Sequence, residues 1–201
     1  MAETNTRLLR RLRLILWGLV VVVGIGATAL YFLRPPERPI GLFGGEFTLE
    51  TTQGQAFTQN DLIGVPTLVY FGYTFCPDVC PTTLAEAMGW METLKAGPDD
   101  LRLIMVTVDP ERDTAENLRA YLDAFSEDFV GLVGSLEQTE AAKKAFGVFS
   151  QKVKTDEYTD YLVDHTASVF LLDRNGRFEG TIAFGEDSET ALAKIRRLIG
   201  T

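Results

Sequence analysis

The chain has 201 residues, a formal net charge of −9, 46% hydrophobic side chains, two cysteines and one histidine. The acidic balance excludes a nucleic-acid-binding surface, and two cysteines are too few for a disulfide scaffold. Residues 1–33 hold four arginines and one glutamate, so the remaining 168 residues carry 15 basic and 27 acidic side chains, a net of −12, in a length that buries one full core as a single domain.

The run from Leu14 to Leu33, LILWGLVVVVGIGATALYFL, is twenty residues without a charge, the number a helix rising ~1.5 Å per residue needs to cross ~30 Å of hydrocarbon. Arg7, Arg10, Arg11 and Arg13 precede it, whereas Arg34 and Arg38 come after it among prolines and a glutamate. The positive-inside rule therefore places residues 1–13 in the cytoplasm and exports the chain beyond residues 14–33. Ala27-Thr28-Ala29 resembles a signal-peptidase site, but the apolar run exceeds the about 7 to 15 residues of a signal peptide and continues past it. Trp17 and Tyr31 suit the two interfaces of a retained anchor. Residues 34–40, RPPERPI, hold three prolines and form a stiff spacer, leaving residues 41–201 as the exported domain.

In that domain FTLETTQGQAFT (47–58) alternates around Gln53-Gly54 and reads as a hairpin. Pro66–Gly72 and Leu101–Val108 are continuous apolar runs of strand length, the pattern of strands buried on both faces. Between them Leu84, Met88, Met91 and Leu94 recur at helical spacing; that stripe makes the two methionines core residues, not thioether ligands. A helix opens near Asp113 with Glu116 in the box position, a strand covers Val130–Val133, and a further helix opens at Ser135 with Gln138 as its box partner and runs to about Phe146. Residues 150–165, SQKVKTDEYTDYLVDH, are polar and weakly patterned, a long surface excursion. Ala167–Asp173 and Arg177–Ala183 flank Asn175-Gly176, a type I′ hairpin signal, and Ser188–Ile199 closes the chain as a helix. The order defines an α/β protein of thioredoxin-like fold: a mixed central sheet flanked by helices, with an N-terminal hairpin, preceded by one transmembrane helix. The cysteines fall just beyond the carboxyl end of a central strand, where such sheets place their ligand sites.

The two cysteines stand in FGYTFCPDVCPTTL. Pro81 has no amide hydrogen for the carbonyl of Pro77, so it suits the first helical position, with Cys76–Cys80 as a tight turn onto the helix. The helix dipole then favours a thiolate at Cys80, and Cys76 lies close enough, with ~6 Å between Cα atoms, to share a metal or a disulfide. His165, the one histidine, sits at the start of the strand Ala167–Asp173, which in thioredoxin-like sheets begins beside the cysteine loop. A lone histidine is more often structural, yet here it makes a third donor. Two thiolates and an imidazole suit copper, as Cu(I) through sulfur or Cu(II) through nitrogen; zinc usually takes a fourth ligand, an oxygen that Asp78 or Asp164 could supply. Tyr70, Phe71, Tyr73 and Phe75 divide between the core and a screen over the metal. Asp78, Asp109 and Asp164 form either an acidic rim for a basic partner or local turn caps. The turn role is favoured for Asp109, and Asp164 is the candidate to fix the His165 tautomer.

FGYTFCPDVCPTTL, VTVDPERDT and YLVDHTASVFLLD strongly resemble the Sco (SenC/PrrC) family of membrane-anchored, thioredoxin-like copper proteins, over about residues 40–199. The resemblance implies Cys76, Cys80 and His165 as copper ligands, with Cys76 and Cys80 also a redox pair. It further implies a metallochaperone that delivers copper, as Cu(I) or Cu(II), to the copper-receiving subunit of cytochrome c oxidase. Two other functions fit the same residues. One is a thiol-disulfide oxidoreductase that reduces the cysteines of the apo-oxidase subunit; the other is a redox or copper sensor. The C-x-x-x-C spacing and the lack of any proline after Pro110 count against a general thioredoxin. Implied partners are the oxidase subunit, other copper donors or thiol-disulfide reductants, and the membrane, with no nucleic acid. The implied location is the inner membrane in a single pass, with the C-terminal domain periplasmic, or in the intermembrane space in a eukaryote.

Overall fold

The structure is a computed structural model that describes residues 2–33, 44–154 and 160–200; the proline-rich spacer expected at 34–40 lies outside them. Two compact units emerge, residues 1–38 and 39–201. The first is a single helix, α1 (Ala2–Leu33). Its stretch Leu12–Ala29 has a mean hydropathy of 2.1 and no part of it is buried. Trp17 is among its exposed side chains, while the side chain of Tyr31 lies outside the described set.

The second unit is built on a seven-stranded mixed sheet. Its strands are β1 (Thr48–Thr51), β2 (Ala56–Thr58), β3 (Thr67–Gly72), β4 (Arg102–Thr107), β5 (Val130–Val133), β8 (Val169–Leu172) and β9 (Phe178–Ile182), ordered β2-β1-β5-β4-β3-β8-β9. β3, β4 and β5 run parallel, joined by α2 (Val79–Leu94) and α3 (Ala115–Asp123); the β1–β2 and β8–β9 hairpins add antiparallel edges. α4 (Leu136–Phe146) contacts β1, and α5 (Ser188–Ile199) packs over β8 and β9 against α2. Every residue of β3 is buried, as a continuous apolar run requires at the centre of a sheet covered on both faces. Alternation along β3 turns Phe71 into a cluster with Phe146 and Phe170 at centroid distances of 5.3 and 6.1 Å, and sends Tyr70 to the opposite face.

Most expected elements occur within a residue or two, and the capping box of Ser135 and Gln138 is present. Three expectations are corrected and a fourth is refined. α2 starts at Val79 with Asp78 as its cap, so Pro81 is the third helical residue, not the first; the first turn of a helix has no use for its amide hydrogens, and proline is tolerated there. α3 is capped by Thr114, whose hydroxyl accepts from the Asn117 amide, because the Asp113 carboxylate is engaged elsewhere. Within the surface excursion expected at residues 150–165, Ser150–Lys154 (β6) and Tyr161–His165 (β7) form a separate antiparallel pair. The β8–β9 turn is not type I′. Gly176 N–H donates to the Asp173 carbonyl, Asn175 and Arg177 N–H donate to its carboxylate, and Gly176 alone has positive φ in the turn. Asp173 thus satisfies the amides that two left-handed residues would otherwise have to arrange.

Candidate metal centre

Three segments converge at the carboxyl ends of the parallel strands. The loop from Tyr73 to Asp78 leaves β3 and carries Cys76; the first turn of α2 carries Cys80; β7 delivers His165 as its last residue. Since Val169 of β8 pairs antiparallel with Tyr70, the chain just before β8 must lie beyond the end of β3, and His165 arrives beside the cysteines. It does so from the end of β7, not from the start of β8 as the sequence suggested.

The sulfur atoms of Cys76 and Cys80 and a ring nitrogen of His165 all lie within 4.8 Å of one another, and Cys80 Sγ is 3.4 Å from His165 Nε2. A three-coordinate ion with bonds of about 2.0 to 2.3 Å would hold its donors roughly 4 Å apart, so the set fits one ion without rearranging the backbone. Thiolate and imidazole donors match copper. The ring is oriented by Nδ1, 3.1 Å from the Thr166 carbonyl. A carbonyl only accepts, so Nδ1 carries the proton and Nε2 presents its lone pair to the sulfurs. This is the role expected of Asp164; Asp164 is instead an exposed residue that lines a cleft of about 310 Å³ over the site with Asp78, Val79 and Leu162.

The thiols differ sharply. Cys76 is partly exposed and Cys80 fully buried. The Cys80 amide in the first turn of α2 donates to Cys76 Sγ at 3.3 Å. The Cys76 thiol is lowered to about 4, first by the hydrogen bond from the Cys80 thiol, against partial burial, with further help from the backbone amides of Cys80 and Asp78. Cys80 moves the other way: sharing its proton with Cys76 and burial both push it up. The thiolate expected at Cys80 therefore resides on Cys76, because the free amide of the helix end points at the sulfur before it rather than at the buried one within it.

The walls are aromatic. Tyr70 and Tyr73 meet the His165 ring edge-on at centroid distances of 6.0 and 5.8 Å, and the Tyr73 hydroxyl accepts from the Val163 amide of β7 at 3.1 Å. Burial pushes the Tyr73 phenol up to about 12 and raises that of Tyr70, so both stay protonated. Tyr70, Phe71 and Tyr73 are buried and Phe75 is exposed, and of the four only Tyr70 and Tyr73 stand against the His165 ring. Asp109 is no rim residue: it is 1% exposed, paired with Arg112 and accepting from the Tyr161 hydroxyl at 2.8 Å. The Met88 and Met91 side chains pack against the core, as their helical stripe requires. Thr166, whose carbonyl orients the His165 ring, is a residue of the site that the sequence reading misses, since a backbone carbonyl leaves no mark in a sequence.

Fold and donor set define a thioredoxin-like protein with a candidate two-sulfur, one-nitrogen metal centre. Residues 36–200 match the SCO1/SenC family, and the chain belongs to it. It is 35% identical over 174 residues to an SCO2-like protein of Rickettsia felis, covering 80% of this chain and 85% of that one. It is 38% identical over 147 residues to the mitochondrial SCO1 homolog of Homo sapiens, covering 71% of this chain and 48% of that one. The copper-bound structure of ScoI from Bradyrhizobium japonicum superposes with a TM-score of 0.70 at 38% identity, covering 78% of this chain and 99% of that one.

Proposed function

We propose that this protein binds one copper ion through Cys76 Sγ, Cys80 Sγ and His165 Nε2 and passes it to a subunit of cytochrome c oxidase. The observation that carries the reading is the convergence of these three donors within 4.8 Å, in a chain 38% identical to a Sco protein whose structure holds copper; the Sco family is one of cytochrome c oxidase assembly proteins. Cys76, already a thiolate, captures the ion. Copper then displaces the proton from Cys80 and takes the bare Nε2 as third donor. Three-coordination and the cleft above leave a side open for an incoming thiolate or imidazole, so transfer proceeds by ligand exchange. The carboxylates of Asp78 and Asp164 at the cleft face a partner with basic groups around its own copper ligands. The test is copper stoichiometry of the full-length reduced chain beside His165→Ala. One equivalent, bound at least tenfold more weakly by the variant, is expected; equal affinity in both overturns the three-donor site.

The asymmetry of the two thiols supports a second reading, reduction of a disulfide in the recipient. The Cys76 thiolate attacks one sulfur of that disulfide, the other leaves as a thiolate, and the Cys80 thiol gives up its proton and closes on Cys76, oxidising the pair and freeing the reduced recipient. A Cys76/Cys80 potential more oxidising than that of the recipient disulfide would sink it.

A single-pass anchor formed by residues 14–33, with residues 1–13 cytoplasmic and the domain of residues 41–201 exported, completes the proposal. Its support is an 18-residue apolar stretch with none of its residues buried, which in water would expose more apolar area than a soluble chain tolerates.

A further inference from the structure

The donors come from two pieces of the molecule whose connection is thin. The cysteine pair is fixed to the seven-stranded sheet through β3 and α2, whereas His165 ends a two-stranded sheet that no strand pairing joins to the larger one among the described residues. The separation of imidazole from sulfur therefore depends on the contacts that hold β7 down. Two consecutive residues of the loop after β4 grip one piece each. Asp113, 3% exposed, accepts from the Thr74 amide at 3.2 Å and the Thr74 hydroxyl at 2.6 Å, two residues before Cys76, and from the Thr107 hydroxyl at 2.6 Å. Arg112 reaches the opposite way. Its Nη1 donates to the Tyr161 carbonyl of β7 at 2.9 Å and pairs with Asp160 at 3.3 Å, while Nε is bound by Asp109. Its guanidinium carbon lies 3.7 Å from the centroid of the Tyr161 ring and 4.8 Å from that of Phe75, next to Cys76. The Tyr161 hydroxyl returns to Asp109, so the loop holds the carbonyl, the ring and the hydroxyl of one β7 residue.

We infer that Arg112 is a positioning residue of the metal centre: together with Asp113 it braces the histidine strand against the cysteine loop and so sets the distance from His165 Nε2 to the two sulfurs. A guanidinium suits the task because its planar fork binds a carbonyl and carboxylates in its plane while its faces stack on rings, which a lysine does not reproduce. The inference rests on the copper reading above. A purely structural ion pair would stabilise the domain without acting through His165.

The test is copper affinity by chelator competition, with the thiolate-to-Cu(II) charge-transfer absorption, in full-length parent, Arg112→Gln, Arg112→Lys, His165→Ala and the Arg112→Gln/His165→Ala double variant. Loss of an outer partner typically weakens metal binding about tenfold or more, so Arg112→Gln is expected to lose about that factor with a shifted absorption band, and Arg112→Lys to recover only part of it. The double variant is expected to bind no more weakly than His165→Ala alone, since Arg112 acts through that residue. Unchanged affinity and spectrum in Arg112→Gln beside a weakened His165→Ala overturns the brace and leaves the copper site standing, as does full additivity in the double variant. Failure of the parent to bind copper overturns the copper reading itself. Should Arg112→Gln not fold, Tyr161→Phe decides: it cuts the link to Asp109, and parental affinity and spectrum in it overturn the brace.

Discussion

Two cysteines four residues apart would be chemically alike in a flexible peptide; here they are opposites. Cys80 is sealed under the first turn of α2 and keeps its proton, while Cys76 faces the cleft and takes both that proton's hydrogen bond and the Cys80 amide. With the Cys76 pKa at about 4, alkylation of the metal-free reduced chain is expected to proceed at Cys76 alone, at a rate flat from about pH 6 to pH 9. A rate that climbs through the ordinary thiol range would contradict the assignment; mass spectrometry of the alkylated peptides reads it. Stability carries the same asymmetry. A depressed thiol stabilises the fold at pH above its unfolded value and loses that contribution as pH falls through about 4, whereas Cys80, raised, loses its contribution as pH rises above the ordinary thiol range. At this scale the residue types were legible in the sequence and their division of labour was not, because it depends on which sulfur the amide of Cys80 meets.

Elements set those positions, and β3 does so most directly. Its last residue, Gly72, faces the buried side of Cys80. A Cβ there would meet the Tyr70 ring at 2.7 Å, Met105 Cε at 3.0 Å and Cys80 Sγ at 3.1 Å, all within a packed interior. Gly72→Ala is expected to cost about 1–3 kcal/mol by overpacking and to weaken copper binding by displacing Cys80; a thermal melt and a copper titration like the parent's would refute the close fit. The central strands and α4 were readable because buried runs and a capping box are local signals. β6 and β7 were not, for a physical reason. They form a two-stranded sheet outside the main one, with only Val163 fully buried, so the pair has no continuous apolar face for a pattern to register. The helix that seats the cysteines was misplaced by two residues because Pro81 fits any position of a first turn.

Across the whole molecule, the candidate metal centre joins residues 85 positions apart in sequence. No local pattern encodes that contact; it arises from the antiparallel pairing of β8 with β3, which obliges the preceding strand to end beside the cysteine loop. Resemblance of three motifs to one family singled out Cys76, Cys80 and His165 before the topology was known, and the structure brings the three together. The anchor proposed for residues 14–33 gives this centre a side of the membrane. In sealed vesicles of inner membrane with the native orientation inverted, protease added outside is expected to trim the arginine-rich end and spare residues 41–201; digestion of the domain would reverse the proposed topology. The central claim, that one copper ion is held by both sulfurs and the imidazole, is tested most directly by copper-edge X-ray absorption on the reduced, copper-loaded full-length chain. Two sulfurs and one nitrogen in the first shell are predicted, with the nitrogen lost in His165→Ala; a first shell of sulfur alone, or of nitrogen and oxygen alone, would contradict it.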